Sequence, residues 1–307
     1  MTPELEGRLS AAGLDPQAVE NVVRVALAED GEVDVTSEPI IASESVAADF
    51  TARQAGVVAG IPVAEVVFEL LGIRVVRTEA ADGDLVRAGQ VLLTVEGPTR
   101  AVLRAERTAL NLLTHLSGIA TATRRWVDAI DGTRARVRDT RKTLPGLRRL
   151  QKYAVRQGGG VNHRMGLQDA ALIKDNHVAA AGSVTKAYEA IRGRFPDLHI
   201  QVECDTLDQV EEALAVGATS ILLDNMSLAE MTEAVRLVHG SGGQDRGNAA
   251  PEGEDTRLAE LEASGGLTVD RARDVAVTGV DYLAVGALTH SASALDIGLD
   301  FHSTAGT

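Results

Sequence analysis

The spacing of hydrophobic positions changes twice along the chain. Over residues 4–29 they recur at helical intervals in two short runs, the second at 18–28. Asp30, Gly31 and Asp34 mark a loop, and Asp34-Val35-Thr36-Ser37 reads as a helix cap or turn. From Val46 the period shortens to two and predicts strands at 48–52 and 56–59. A helix is expected at 61–71, closed by Gly72, followed by a strand at 74–77. Residues 82–92 read as turn, short strand, turn, strand. Residues 100–115 carry a long helical pattern, Gly118 is expected to interrupt it, and 120–130 continue helically. The composition changes here, which places a domain boundary near residue 115, between a first domain at 1–115 and a second at 116–287.

Beyond that boundary one pattern repeats. A short apolar run ends in a polar or small residue and an amphipathic helix follows. Strands are expected at 135–137, 171–173, 199–202, 220–223, 258–261 and 281–285, and helices at 184–194, 207–216, 228–238 and 268–277. Alternating strands and helices imply a parallel sheet with right-handed crossovers. Chemistry-bearing residues at the carboxyl end of each strand fit an α/β barrel, whose sites lie on that face. With about six such units the TIM-like barrel is either incomplete or takes further strands that the pattern does not reveal. A Rossmann-type sheet is the alternative, and it lacks a G-x-G-x-x-G turn opening a helix. Residues 240–256 are Gly-rich and polar and are expected to form a mobile surface insertion. Residues 288–307 are expected to rejoin the first domain.

Charge changes this picture. The chain carries a net charge of −14, yet between Arg134 and Arg164 it holds ten Lys or Arg against one acid, Asp139. An acidic chain that concentrates cations in one stretch points to an anion site. Arg148, Arg149, Lys152 and Arg156 have helical spacing and are expected to coat a solvated surface. Thr140-Arg141-Lys142-Thr143 and His163-Arg164 flank Gly, Pro and turn residues, where side chains and backbone N–H groups converge on ligands. Aromatic residues are only 3% of the chain, which together with the net charge argues against nucleic acid. The single cysteine, Cys204, excludes an internal disulfide and a cysteine-based zinc site. With no basic segment leading into an apolar run at the start, and no membrane-length apolar run, a cytoplasmic protein is expected. Residues 82–92 resemble the hammerhead of biotinyl and lipoyl carrier domains, but no lysine precedes Lys142, so a carrier role is set aside.

Gathered at the strand ends, the cations are Arg141, Lys142, His163, Arg164 and Lys174, and the carboxylates are Glu203 and Asp224. Ser264, Gly265, Gly266 and Gly286-Ala287 supply small residues at late turns, which hold phosphate through backbone N–H groups. Paired carboxylates beside a phosphate site suit Mg²⁺ or ribose hydroxyls, and clustered Arg and Lys suit carboxylates and further phosphates. The implied substrates are a phosphorylated sugar and a multiply negative small molecule. Bland readings stand beside these. Lys174 could form a structural ion pair, Glu203 and Asp224 could cap the helices that follow, His163 could be a structural hydrogen-bonding residue, and Gly265-Gly266 could be a plain turn. Asp205 and Thr206 are assigned to capping.

These motifs resemble the quinolinate phosphoribosyltransferase family. The resemblance is carried by Arg138-Asp139-Thr140-Arg141-Lys142-Thr143-Leu144-Pro145-Gly146, by Gly158-Gly159-Gly160 with Asn162-His163-Arg164, and by Leu172-Ile173-Lys174-Asp175-Asn176-His177. Glu203, Leu222-Leu223-Asp224-Asn225, Glu262-Ala263-Ser264-Gly265-Gly266 and the helix segment 107–113 complete it. It implies an N-terminal α/β sandwich domain and a C-terminal incomplete α/β barrel. It also implies a reaction in which quinolinate and phosphoribosyl pyrophosphate, with Mg²⁺, give nicotinate mononucleotide, pyrophosphate and CO2, a step of de novo NAD biosynthesis. Arg141, Lys142, His163, Arg164 and Lys174 would then bind substrate, Glu203 and Asp224 would hold ribose and metal, and Ser264, Gly265, Gly266 and Gly286 the 5′-phosphate. The family pattern further implies a homodimer or larger assembly, with Arg107 supplied across the interface. Competing expectations are a transferase acting on nicotinate, whose single carboxylate needs fewer cations, a molybdenum-associated relative, and a non-catalytic phosphate-binding barrel.

Overall fold

The computed structural model describes residues 1–239 and 257–302; the insertion expected at 240–256 lies outside the described residues. Two compact units are present. One comprises Met1–Arg124, Lys142–Gly160 and the chain from Ala287 onward; the other comprises Arg125–Arg141 and Val161–Gly286.

The first unit is built on a four-stranded antiparallel sheet of β1 (Ser45–Ala52), β3 (Arg74–Thr78), β5 (Val91–Pro98) and β12 (Ile297–Phe301), in the order β12-β1-β5-β3. A two-stranded ribbon pairs β2 (Gly56–Val57) with β4 (Leu85–Val86). Alternation along β1 turns Ala48, Phe50 and Ala52 inward, and Phe50 packs tilted against Phe68 with ring centroids 5.2 Å apart. Phe68 sits on the helix Ile61–Leu70, whose residues from Val63 to Phe68 are all buried. That helix has no side-chain cap of its own at Gly60. Asp82 replaces it, accepting the Gly60 and Ile61 N–H groups at 2.7 and 2.9 Å and the Tyr153 hydroxyl at 2.5 Å.

Two sequence expectations need correction in this unit. Gly118 does not interrupt anything: Thr99–Ala129 is one helix of 31 residues. A Cβ at Gly118 would lie 2.1 Å from the Ser293 carbonyl oxygen, so the glycine is there to let the segment before β12 pass against the helix. The basic helix Arg148–Gln157 is not a solvated coat either. Leu150 through Val155 are all buried and Lys152 is fully enclosed, so the helix is packed on most of its faces. Arg149 and Arg156 are exposed as expected, while Arg148 is half-buried and donates to Thr143 Oγ1 at 2.9 Å.

Among the described residues the second unit carries six parallel strands: β6 (Arg136–Arg138), β7 (Ala171–Ile173), β8 (Ile200–Cys204), β9 (Ser220–Asp224), β10 (Glu260–Ser264) and β11 (Tyr282–Ala284). Their order is β6-β11-β10-β9-β8-β7. Helices Asp175–Ala181, Val184–Arg194, Leu207–Ala215, Leu228–His239 and Ala272–Ala276 connect them, giving the incomplete α/β barrel that the strand–helix repeat predicts. Two strands run two or more residues past their apolar runs: β8 extends through Glu203 and Cys204, and β10 starts at Glu260 and takes in Glu262 to Ser264. Among the described residues no helix is long and apolar enough to cross a membrane.

Candidate active site

The carboxyl ends of the parallel strands carry the expected chemistry. Lys174 follows β7, and its Nζ donates to Glu203 Oε2 on β8 at 2.7 Å. His177 Nδ1 accepts the Lys174 backbone N–H at 3.0 Å and so fixes the main chain from which the lysine projects. Asp224 ends β9, and its Oδ2 accepts from Asn225 Nδ2 at 2.7 Å. Ser264 ends β10 and lies opposite Asp224 in the ladder. Neither carboxylate caps a helix. Thr206 caps Leu207–Ala215, and at the next helix Ser227 Oγ accepts the Glu230 N–H. Asp205 does not cap: its own N–H donates to Gln209 Oε1 at 2.6 Å.

Asn225 has a positive φ of 55°, and its N–H donates to the Ser264 carbonyl at 2.9 Å. A Cβ on Gly265, whose φ is 90°, would fall 2.2 Å from Asn225 Oδ1. The β9 and β10 ends therefore interlock only with glycine at 265, and this holds Asp224 and the Ser264-Gly265-Gly266 turn beside each other. Gly266 follows in the same left-handed region at φ 58°, so the turn carries no side chain over its main chain.

The basic loops belong partly to the same unit. Arg138 ends β6, and Asp139, fully buried, accepts from Asn162 Nδ2 at 2.5 Å and from the His163 backbone N–H at 2.8 Å. This ties the segment Thr140-Arg141 to the loop that carries His163 and Arg164. Burial pulls the Arg164 guanidinium below the ordinary arginine range, and the nearby positive charge of Arg141 lowers it further. Arg141 Nε is buried with no hydrogen-bond partner among the described residues. Two close guanidiniums, one with an unused buried donor, are the signature of a site built for an anion. Arg107, Lys142 and Ala287 belong to the other unit. Arg107 lies on the exposed face of the long helix, beside a cavity of about 530 Å³ lined also by His115 and Leu144. The Lys142 carbonyl accepts from Thr289 Oγ1 at 2.7 Å. Gly286 follows β11.

Behind these ends lies a tier to which sequence reasoning gave no role, although Arg138 and Glu262 stand in the motifs. Because strand side chains alternate, Gln201 shares a face with Glu203, and Glu262 shares one with Ser264. Gln201 and Glu262 are only 2% and 1% exposed. Glu262 Oε2 accepts from Arg138 Nη1 and from Gln201 Nε2, each at 2.8 Å. Arg138 also stacks on Tyr282, 3.3 Å from the ring centroid. Gln201 Oε1 meets His163 Nε2 at 2.8 Å, while His163 Nδ1 accepts the Arg164 N–H at 2.7 Å. The signal in the sequence was a polar residue two positions before Glu203 and before Ser264.

Among the described residues no group of three His, Cys, Asp or Glu could hold a metal ion unaided. Mg²⁺ does not require one, since it keeps several waters and takes one or two carboxylates together with substrate phosphates. Glu203 and Asp224, on neighbouring parallel strands, fit that role.

The comparisons with known proteins agree with this geometry. Residues 34–117 match the family described as quinolinate phosphoribosyl transferase, N-terminal domain, and residues 119–300 match its C-terminal domain. The nicotinate-nucleotide pyrophosphorylase [carboxylating] of Mycobacterium leprae is 50% identical over 291 residues, covering 92% of this chain and 97% of that protein. The probable enzyme of the same name from Bacillus subtilis is 39% identical over 276 residues, covering 89% and 90%. The crystal structure of nicotinate-nucleotide pyrophosphorylase from Ehrlichia chaffeensis superposes with a TM-score of 0.84 at 39% identity, covering 92% of this chain and 98% of that one. Fold, strand-end chemistry and both domain matches converge: the chain belongs to the quinolinate phosphoribosyltransferase family of pentosyltransferases.

Proposed function

We propose that this chain converts quinolinate and phosphoribosyl pyrophosphate to nicotinate mononucleotide, pyrophosphate and CO2 at the carboxyl ends of its parallel strands. The observation that carries the site assignment is the convergence there of opposite chemistries. Arg141, Arg164 and Lys174 seek anions, while Glu203 and Asp224 suit hydroxyls and a divalent cation.

Arg141, Arg164 and Lys174 bind the two carboxylates of quinolinate, joined by Arg107 from a second copy of the chain in a homodimer or larger assembly. His163 has both ring nitrogens engaged, with Nδ1 as an acceptor, so it shapes this acid pocket as a neutral ring rather than adding a charge. Lys142 contacts quinolinate or the departing pyrophosphate. Glu203 and Asp224 hold the ribose hydroxyls and would hold Mg²⁺, which would supply positive charge to the pyrophosphate group. Ser264, Gly265 and Gly266, with Gly286 and Ala287, receive the 5′-phosphate through main-chain N–H groups.

The reaction needs no covalent enzyme intermediate. The pyridine nitrogen attacks C1 of the ribose as the bond to pyrophosphate breaks. Catalysis at this step is positioning plus stabilisation of the leaving charge. The resulting pyridinium draws in the electron pair released when the adjacent carboxylate leaves as CO2, and the ylide takes up a proton. Lys174 is paired with Glu203 before substrate arrives, so quinolinate must compete for its Nζ, and release of that pair frees Glu203 for the ribose. The lone, buried Cys204 accords with a reducing compartment, and we place the reaction in the cytoplasm.

The test is a product assay. Purified protein receives phosphoribosyl pyrophosphate, Mg²⁺ and either quinolinate or nicotinate, and nicotinate mononucleotide and CO2 are followed. Product from quinolinate alone, with CO2 released, is the expected result. Product from nicotinate, or from neither acid, would overturn the acceptor assignment.

A further inference from the structure

We infer that Gln201, backed by Glu262 and Arg138, is a positioning residue that acts on the quinolinate site through His163. The inference rests on the assignment of the acid pocket above, and it concerns residues that touch neither substrate.

A carboxylate at 1% exposure in the interior of a parallel sheet is destabilising unless it is paired and hydrogen-bonded. Glu262 is paired with Arg138, yet only its Oε2 is used; Oε1 is buried with no hydrogen-bond partner among the described residues, and so is Arg138 Nε. A pair that served stability alone would be better replaced by apolar residues of similar volume. What the pair does supply is a fixed acceptor for the Gln201 amide N–H group, at 2.8 Å.

That acceptor sets the direction of the whole chain of contacts. With its amide nitrogen donating to Glu262, Gln201 can only present its oxygen to His163, so it accepts from the ring. The ring proton must then sit on Nε2, which leaves Nδ1 as the acceptor for the Arg164 main-chain N–H. Glu262 thereby fixes one tautomer and one orientation of His163, and His163 fixes the main chain from which the Arg164 guanidinium departs. That guanidinium in turn donates to the Ala170 carbonyl at 2.7 Å and stands near Arg141. The register makes the arrangement specific. Gln201 lies one alternation behind Glu203, and Glu262 one behind Ser264, so the tier sits directly beneath the residues assigned to substrate.

The experiment is a double-mutant cycle. Gln201→Met keeps the length of the side chain and removes both of its hydrogen bonds. The wild type, Gln201→Met, His163→Ala and the double variant are compared for KM with quinolinate and, separately, with phosphoribosyl pyrophosphate. Gln201→Met is expected to raise the quinolinate KM by about tenfold and to leave the other KM within about twofold, as for one lost orienting contact. In the His163→Ala background the same substitution should change the quinolinate KM by less than about twofold, because the residue it acts through is gone. Equal rises in both KM values, or an unchanged quinolinate KM, would overturn the inference, as would full additivity in the cycle. If Gln201→Met does not fold, Gln201→Asn, whose shorter amide stays polar but falls short of both partners, takes its place. A wild type that turns over quinolinate while the cycle is additive sinks only this inference; a wild type that does not turn it over sinks the acid pocket with it.

Discussion

Gly118→Ala sets two effects of known sign against each other. Gly118 lies within the helix Thr99–Ala129, where replacing glycine by alanine ordinarily stabilises by about 1 kcal/mol. Here the added Cβ would meet the Ser293 carbonyl oxygen at 2.1 Å, with the Ala294 Cα and the Ser293 carbonyl carbon both at 2.9 Å. These are backbone atoms and cannot rotate away. The passing segment has to retreat by roughly 1 Å, the shortfall from ordinary contact distance. Its next residue is anchored, since the Leu295 N–H donates to the Thr114 carbonyl at 3.0 Å. Overpacking of this kind costs about 1–3 kcal/mol, and weakening the anchoring bond adds about 1 kcal/mol. The clash therefore wins, and the variant should be less stable by about 2 kcal/mol. Gly193→Ala is the control: it lies near the end of the helix Val184–Arg194, and nothing stands within 4 Å of its added Cβ. It should gain up to about 1 kcal/mol. Urea unfolding followed by circular dichroism reads both. A Gly118→Ala midpoint at or above that of the wild type would refute the reasoning.

Other predictions follow from the same structure. Asp224→Asn keeps the shape of the β9 end and removes its charge; kcat should fall on the order of a hundredfold with the unfolding midpoint little changed, measured by product formation and by thermal melting. Burial, with the nearby charges of Asp205 and Glu203 behind it, pushes the Cys204 thiol up to about 12, so alkylation by iodoacetamide at pH 8 should be undetectable until denaturant is added. His115 is held below the ordinary histidine range by burial, and its Nε2 faces the Gln151 amide nitrogen at 2.9 Å. The unfolded chain therefore binds the proton more readily than the folded one. The contribution of His115 is present above pH 6.5 and is lost as pH falls from there through the folded value. Melting temperature should drop on that side, and His115→Asn should flatten the drop.

Much of the second unit could be read from the sequence because each of its strands is bought by a short apolar run and each run ends at a residue with visible chemistry. Lys174, Glu203, Asp224 and Ser264 all stand at strand ends in the structure. What could not be read was the tier of side chains behind them. Gln201 falls inside the strand expected at 199–202, but the apolar run alone does not say that its face is buried; Glu262 lies past the run expected at 258–261, and only the observed span of β10 puts it inside. Gly118 and Lys152 misled for a related reason. Propensity treats a glycine as a break and a lysine as a surface residue. The first is overruled by a chain segment far away in sequence, Ser293, and the second by burial of the helix stretch Leu150 to Val155 that carries it. Arg107 and Lys142 stood out through the resemblance and the charge count, yet what they do depends on geometry that no single strand end supplies.

The first unit is assembled from three separate stretches of chain, and its last strand, β12, lies beside β1 with Phe301 opposite Ala48. During synthesis β1 emerges some 250 residues before its outer neighbour, in the register that pairs Arg53 near Asp300. Until then its outer edge offers unpaired N–H and C=O groups to any strand at hand, including one from another nascent chain. Closure of this unit is thus a late, long-range event, and its rate is set by how soon β12 returns to β1. A cell making this protein faces exposure to misassembly while the parallel strands of the second unit are already complete and the first sheet still awaits β12.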